Sequence, residues 1–200
     1  MRLRDFGFTD GINEVIAVTI NEDGSLNTAP VGIIVDDADG VKARVRLYKS
    51  HTRENIRRGS DLFANIVKDA QIFVLSAFED LGHEYFDSVS PPVLRNALAW
   101  CRFVAELRGS HAYLEIVDGS VLRGEVRPVN RGFNAVIEAL VHATRFVVFK
   151  DEEIRDELRR RILYYGEIVE KCGSKAEKEA YKMILERTGL GKNFSGAART

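Results

Sequence analysis

Residues 14–20 read EVIAVTI, residues 21–24 read NEDG, and residues 26–35 read LNTAPVGIIV. β-Branched side chains dominate both flanks, and they pack well on a pleated surface. Gly24 closes the intervening turn, where a positive φ costs glycine nothing. The pattern predicts a β-hairpin. Pro30 has no N–H to offer a ladder, so its strand must bulge or lie at an edge there. Residues 36–40 (DDADG) predict a second turn. Residues 41–49 (VKARVRLYK) then alternate. Val41, Ala43, Val45 and Leu47 take one face; Lys42, Arg44, Arg46 and Tyr48 take the other. Such a strand has one face in a core and one toward water or a ligand.

Working outward, residues 52–58 predict a short helix, with Thr52 as its cap and Gly59 at its end. Residues 62–67 (LFANIV) and 72–78 (IFVLSAF) read as two further buried strands. Residues 79–92 mix charges, aromatics and prolines and read as a loop or lid. Residues 93–107 fit two patterns: Pro92 suits a first helical turn, while Ala99, Cys101, Phe103 and Ala105 alternate, which favours a strand for the second half. Residues 112–117 and 121–126 flank Asp118-Gly119, a hairpin signal. Many short strands joined by tight turns favour a small barrel over a parallel sheet.

The character changes at residues 128–132 (PVNRG). Phe133, Val136, Ile137, Leu140 and Val141 recur at helical spacing, with Asn130 as a cap. Ile154, Leu158, Ile162 and Val169 mark a second helix that ends near Gly173. Ser174 and Glu177 form a capping box for a third, with Gly189 just past its end. Strands first and helices last make an α+β protein: a barrel over residues 1–128, a helical appendage over 129–190, and a fraying tail over 191–200.

A formal net charge of -1 supplies no global field to draw nucleic acid. Two cysteines, Cys101 and Cys172, lie far apart and fit a reducing cytoplasm. No run approaches the ~20 apolar residues of a membrane span, and the N-terminal residues lack an apolar signal core. The expectation is a cytoplasmic protein that binds neither nucleic acid nor membrane. No histidine has the spacing of a metal motif, and neither a P-loop nor a nucleophile elbow is present.

Two stretches can carry ligand chemistry. Ser50, His51, Thr52, Arg53 and Asn55 place hydroxyl, imidazole, guanidinium and amide donors at one strand-to-helix junction, with Arg46 and Lys49 just before. Converging donors with positive charge suit a phosphate. The alternative is a capped surface helix with solvated charges. Asn27, Thr28, Ala29, Pro30, Val31 and Gly32 form the second stretch. Small residues let a flat ring approach the backbone, and Pro30 frees that backbone from regular pairing. The alternative is a plain edge strand.

The order EVIAVTINEDGSLNTAPVGI, LYKSHTRENIRRG, FANIV and then residues 130–145 (NRGFNAVIEALVHATR) resembles an archaeal family of unknown function within the flavin mononucleotide (FMN)-binding split-barrel superfamily. The resemblance runs from about Gly11 to about Leu190. It implies a split β-barrel followed by helices, and a homodimer with FMN between subunits. The ring would lie against Thr28 to Gly32, and the phosphate would meet Ser50, His51, Thr52 and Asn55, with Arg46 or Lys49. Asn65 matches a recurring position near the flavin, and Tyr48 is a neighbouring candidate. The implied activity is transfer of hydride or electrons from a nicotinamide or deazaflavin donor to an unknown acceptor. The alternative is a module that holds or senses FMN without turnover. Neither reading names a catalytic residue.

Overall fold

The computed structural model describes residues 1–124 and 131–191. They form two compact units: residues 1–69 with 75–124, and residues 70–74 with 131–191.

The first unit is built on β1 (Gly11–Ile20), β2 (Leu26–Val35), β3 (Lys42–Arg46), β4 (Leu62–Ile66), β7 (Ala99–Arg108) and β8 (His111–Val121). They close into an antiparallel barrel in the order β1-β2-β3-β8-β7-β4, with β4 returning to β1. Between β4 and β7 lies a two-stranded hairpin, β5 (Phe86–Val89) with β6 (Pro92–Leu94). The barrel interior holds Val15, Ala17, Ile33, Val45, Leu62 and Phe103, each at most 1% exposed. Phe103 meets Phe8 edge-on, with ring centroids 6.2 Å apart.

The hairpin predicted at Asn21-Gly24 is present, and Gly24 sits at φ +83°. Pro30 falls in an unbroken register with β1, opposite Ile16. Its strand pairs with β3 only at Ile33 and Ile34. Of the two expectations for Pro30, a bulge or a local edge, the edge is the one realised. β3 keeps the predicted faces, with Ala43, Val45 and Leu47 buried.

Several expectations are corrected. Residues 72–78 are not a strand: α2 (Ala70–Phe78) is helical. Burial there falls at Ala70, Phe73, Val74 and Ser76, with spacings of three and four that a strand does not produce. A continuous apolar run hides that choice. Asp118-Gly119 is not a turn. β8 runs through it, and the register jumps from Arg102↔Asp118 to Phe103↔Ile116, which leaves Val117 as the extra residue of a bulge. Gly119 is needed because a Cβ there would stand 2.5 Å from the Trp100 carbonyl oxygen. The turn lies at Gly109-Ser110 instead, with Gly109 at φ +59°. Pro92 begins β6 rather than a helix, and the loop expected over 79–92 contains β5. The short helix after β3 is α1 (His51–Arg57), one residue earlier than expected, and Ser50 rather than Thr52 caps it.

In the second unit, α3 (Arg131–Val148), α4 (Glu152–Cys172) and α5 (Lys175–Thr188) follow the predicted order. Asn130, expected to cap α3, lies outside the described residues, as does the tail from 192 on. Val136 and Leu140 are buried as expected, whereas Ile154, expected on the apolar face of α4, is exposed. Phe73 meets Phe133 edge-on at 6.2 Å, which joins the start of α2 to this unit. Arg155 donates to the Phe146 and Phe149 carbonyls at 2.6 and 3.2 Å and stacks over the Phe146 ring. It thereby satisfies carbonyls that the end of α3 leaves open. Asp151 caps α4, and the capping box of Ser174 and Glu177 opens α5.

His142 of α3 is buried, stacks on Tyr165 and leaves Nδ1 without a hydrogen-bond partner. Burial pushes its pKa below the ordinary value; Arg161 and Arg145 add to that, while Glu138 and Glu157 oppose it. The unfolded chain therefore binds a proton on His142 at a pH where the folded chain does not. This contribution is complete above about pH 6.5 and is lost as pH falls below it. Helical circular dichroism should show a urea midpoint that declines from about pH 7 to about pH 5.5, with a slope of at most about 1.4 kcal/mol per pH unit from this group. In His142→Phe that component should disappear; an unchanged slope would remove His142 as its source.

Candidate functional site

α1 is where the sequence placed its phosphate donors, and its two faces behave differently. Thr52, Asn55 and Ile56 are buried. Ile56 joins the apolar core of the barrel. Thr52 and Asn55 join a polar network beneath the helix. Asn27 Nδ2 donates to Thr19 Oγ1 at 2.9 Å and to Thr52 Oγ1 at 3.0 Å. Asn55 Nδ2 donates to the same Thr19 Oγ1 at 3.0 Å and to Asn21 Oδ1 at 2.8 Å. The Arg58 guanidinium donates to Asn55 Oδ1. The amide donors of Asn55 are thus spent inside the protein.

The other members of the set face outward. Tyr48 is 71% exposed, and the Arg46 guanidinium sits 5.3 Å from its ring centroid. Lys49, Ser50 and His51 are exposed. The Ser50 hydroxyl accepts from the Arg53 amide at 3.3 Å and donates to the Tyr48 carbonyl at 3.3 Å. Arg53 reaches back to the Leu47 carbonyl at 3.3 Å, so it is not directed to the same place. Among the described residues neither Arg46 nor Lys49 is paired with a carboxylate. The loop therefore offers two uncompensated cations, a hydroxyl and an imidazole over six residues of chain.

On the opposite flank, His51, Asn55 and Arg58 share a cleft of about 600 Å³ with Asn21, Glu22, Asp23, Glu54 and Asp80. Four of its side chains are carboxylates. Hydrogen bonds from the Ser25 hydroxyl and amide hold the Asp23 carboxyl below its usual range, so it is ionised at neutral pH. Such a cleft repels a phosphate. The positively charged flank of the loop is accordingly the Arg46 to Ser50 side, with His51 at the boundary between the two. A larger groove of about 1250 Å³ runs between α4 and α5 in the second unit, with lysines and glutamates mixed along its rim.

The wall expected on β2 is only partly open. Val31 packs against the barrel core, so Ala29 shares its inward face and Thr28, Pro30 and Gly32 point outward. The Thr28 amide donates to Asp80 Oδ1 at 2.7 Å, and the Leu81 amide donates to Thr28 Oγ1 at 2.9 Å. A Cβ on Gly32 would lie 2.7 Å from Ile12 Cγ2 and 3.2 Å from Glu14 Oε1. The side chains of Ile12 and Glu14 on β1 therefore lie beside it. Pro30 and Gly32 are half-exposed and form the open part of the wall. Asn65 is fully buried, donates to the Pro92 carbonyl at 3.2 Å and accepts from the Leu94 amide at 2.8 Å. It clamps β6 onto β4.

Two residues of this region went unmarked in the sequence: Thr19 and Asp80. Thr19 carried a signal, being a polar side chain directly opposite Asn27 in an otherwise apolar hairpin. Asp80 carried none. Among the described residues no cluster of His, Cys, Asp and Glu has the arrangement of a metal site.

A closed antiparallel barrel with a cationic loop after its third strand, followed by helices, is an α+β split β-barrel protein with a C-terminal helical segment. The chain belongs to the DUF447 family of proteins of unknown function: residues 13–135 match its N-terminal domain and residues 130–186 its C-terminal part. An FMN-bound protein of this family from Methanosarcina mazei is 38% identical, with a TM-score of 0.77, over 92% of this chain and 98% of that one. The styrene monooxygenase flavin reductase of Pseudomonas putida is 14% identical, with a TM-score of 0.44, over 60% of this chain and 84% of that one. The 2-nitrobenzoate 2-nitroreductase of Pseudomonas fluorescens is 17% identical, with a TM-score of 0.43, over 60% and 70%. Among the described residues no helix is long and apolar enough to cross a membrane.

Proposed function

We propose that this chain binds FMN non-covalently and uses it as an oxidoreductase. The observation that carries this reading is the FMN-bound family member aligned over nearly the whole chain. The chemistry of the loop agrees with it: Arg46, Lys49, Ser50 and His51 suit a phosphate, and the Pro30 to Gly32 surface suits a flat ring. Bound FMN would supply hydride or electron transfer. Arg46 and Lys49 compensate the phosphate charge, and Ser50 and His51 orient it. Thr52 and Asn55 serve from behind, by seating α1. Asn65 serves likewise, by fixing the β5–β6 hairpin.

The proposed assembly is a homodimer with the flavin between subunits. Val104 and Tyr113, on the outward face of β7 and β8, are 52% and 47% exposed, and burying such side chains in a partner lowers the free energy. A nicotinamide or a deazaflavin is the proposed electron donor. A second reading, a module that holds FMN without turnover, draws on one feature: the outward wall residues Thr28, Pro30 and Gly32 carry no titratable group.

Purified protein should be yellow and release FMN on unfolding. Anaerobic mixing with NADH, NADPH or a reduced deazaflavin should bleach the flavin. Bleaching by none of them across a panel of acceptors would favour the module, and protein that neither carries nor takes up FMN would end both readings.

A further inference from the structure

We propose that Asn27 is a positioning residue that locks the phosphate loop to the ring wall, so that the site reads phosphate and ring as one ligand. The proposal rests on the FMN reading above. Asn27 is buried, and its side-chain amide makes two hydrogen bonds, to Thr19 Oγ1 and Thr52 Oγ1. It directly precedes Thr28, where the wall begins. Thr52 comes two residues after Ser50. One hydrogen bond of 3.0 Å therefore spans the two halves of the site.

Stability alone does not call for this arrangement. Ile56 already anchors α1 in the apolar core. Burying polar groups there carries a desolvation penalty that apolar side chains would avoid. Apolar contact lets a short helix slide and rotate at little cost, whereas hydrogen bonds to fixed donors allow one seating. The network has four buried members from three elements, Thr19 on β1, Asn27 on β2, and Thr52 and Asn55 on α1, with Asn21 and Arg58 bonded to Asn55 at its rim. The four converge on two hydroxyl oxygens, Thr19 Oγ1 and Thr52 Oγ1. What they hold in common is the position of α1, and with it the Arg46 to His51 segment, relative to the first residues of β2.

The test compares FMN with riboflavin, which lacks the phosphate. Wild type, Asn27→Leu and the double variant Asn27→Leu/Thr52→Val are titrated with each flavin by fluorescence quenching, and each melting temperature is measured. In Asn27→Leu, FMN affinity should fall about tenfold while riboflavin affinity changes less than about twofold. The double variant removes both polar partners, which restores stability. Its melting temperature should recover and its FMN-to-riboflavin ratio should stay low. A ratio that recovers with the melting temperature, or never falls, would overturn the positioning role while leaving the FMN reading intact. If Asn27→Leu does not fold, the double variant alone decides on the same criterion. Wild-type protein that binds neither flavin would strike the FMN reading itself.

Discussion

Phe103→Ala is expected to destabilise the barrel by about 3–5 kcal/mol. Phe103 is fully buried, lies in register with Leu62 and Ile116, and meets Phe8 edge-on. It thus links β4, β7, β8 and the N-terminal turn at one point in the interior. Truncation removes the transfer free energy of the ring and leaves a cavity. The surrounding strands cannot close over that cavity, because a barrel with every strand paired on both sides has little freedom to contract. The measurement is urea denaturation followed by the fluorescence of Trp100, which lies three positions along the same strand. The midpoint should fall with the slope unchanged. A loss under about 1 kcal/mol would mean that the site collapses and that the barrel is softer than its packing implies.

The second large effect concerns the ligand. Arg46→Glu combined with Lys49→Glu should weaken FMN by about 100-fold or more, because each charge-assisted contact contributes about 1.5–3 kcal/mol and the reversal adds repulsion. Riboflavin should lose far less. Added salt should shrink the difference, since both side chains are exposed and screened. Equal loss for the two flavins would place the phosphate elsewhere. Glu22→Gln and Asp23→Asn, on the acidic flank, supply the contrast: they should leave FMN binding unchanged or slightly tighter.

Much of the barrel was legible because its strands alternate. Residues 41–49 declared their faces, and the turn at Gly24 declared the hairpin. α2 was not legible, because Ile72 to Phe78 is apolar except for Ser76 and such a run has no clear period to read. Asp118-Gly119 misled because the same dipeptide serves a turn and a bulge; only the closeness of the Trp100 carbonyl, a long-range fact, selects the bulge. In the candidate site, the residue types on the loop were legible and their directions were not. Thr52 and Asn55 read as ligand donors because local sequence does not say which face of a helix of about two turns meets the barrel. The inward facing of Thr19 and Asn27 decides it, and those residues lie on another hairpin. The split of the loop into a basic and an acidic flank depends on the β1–β2 turn and Asp80 arriving from elsewhere in the chain.

The short pairing between β2 and β3 has a consequence for the protein without its ligand. Leu26 to Gly32 keeps one side of its backbone outside the β3 ladder, and that is a template on which a strand from another molecule could add. Pro30 sits in the middle of this opening and removes a donor from it, and the Asp80 carboxylate occupies the Thr28 amide nearby. The proline then acts as a gatekeeper against association between chains. Pro30→Val should leave the folded barrel intact and raise its tendency to aggregate, most of all when flavin is withheld.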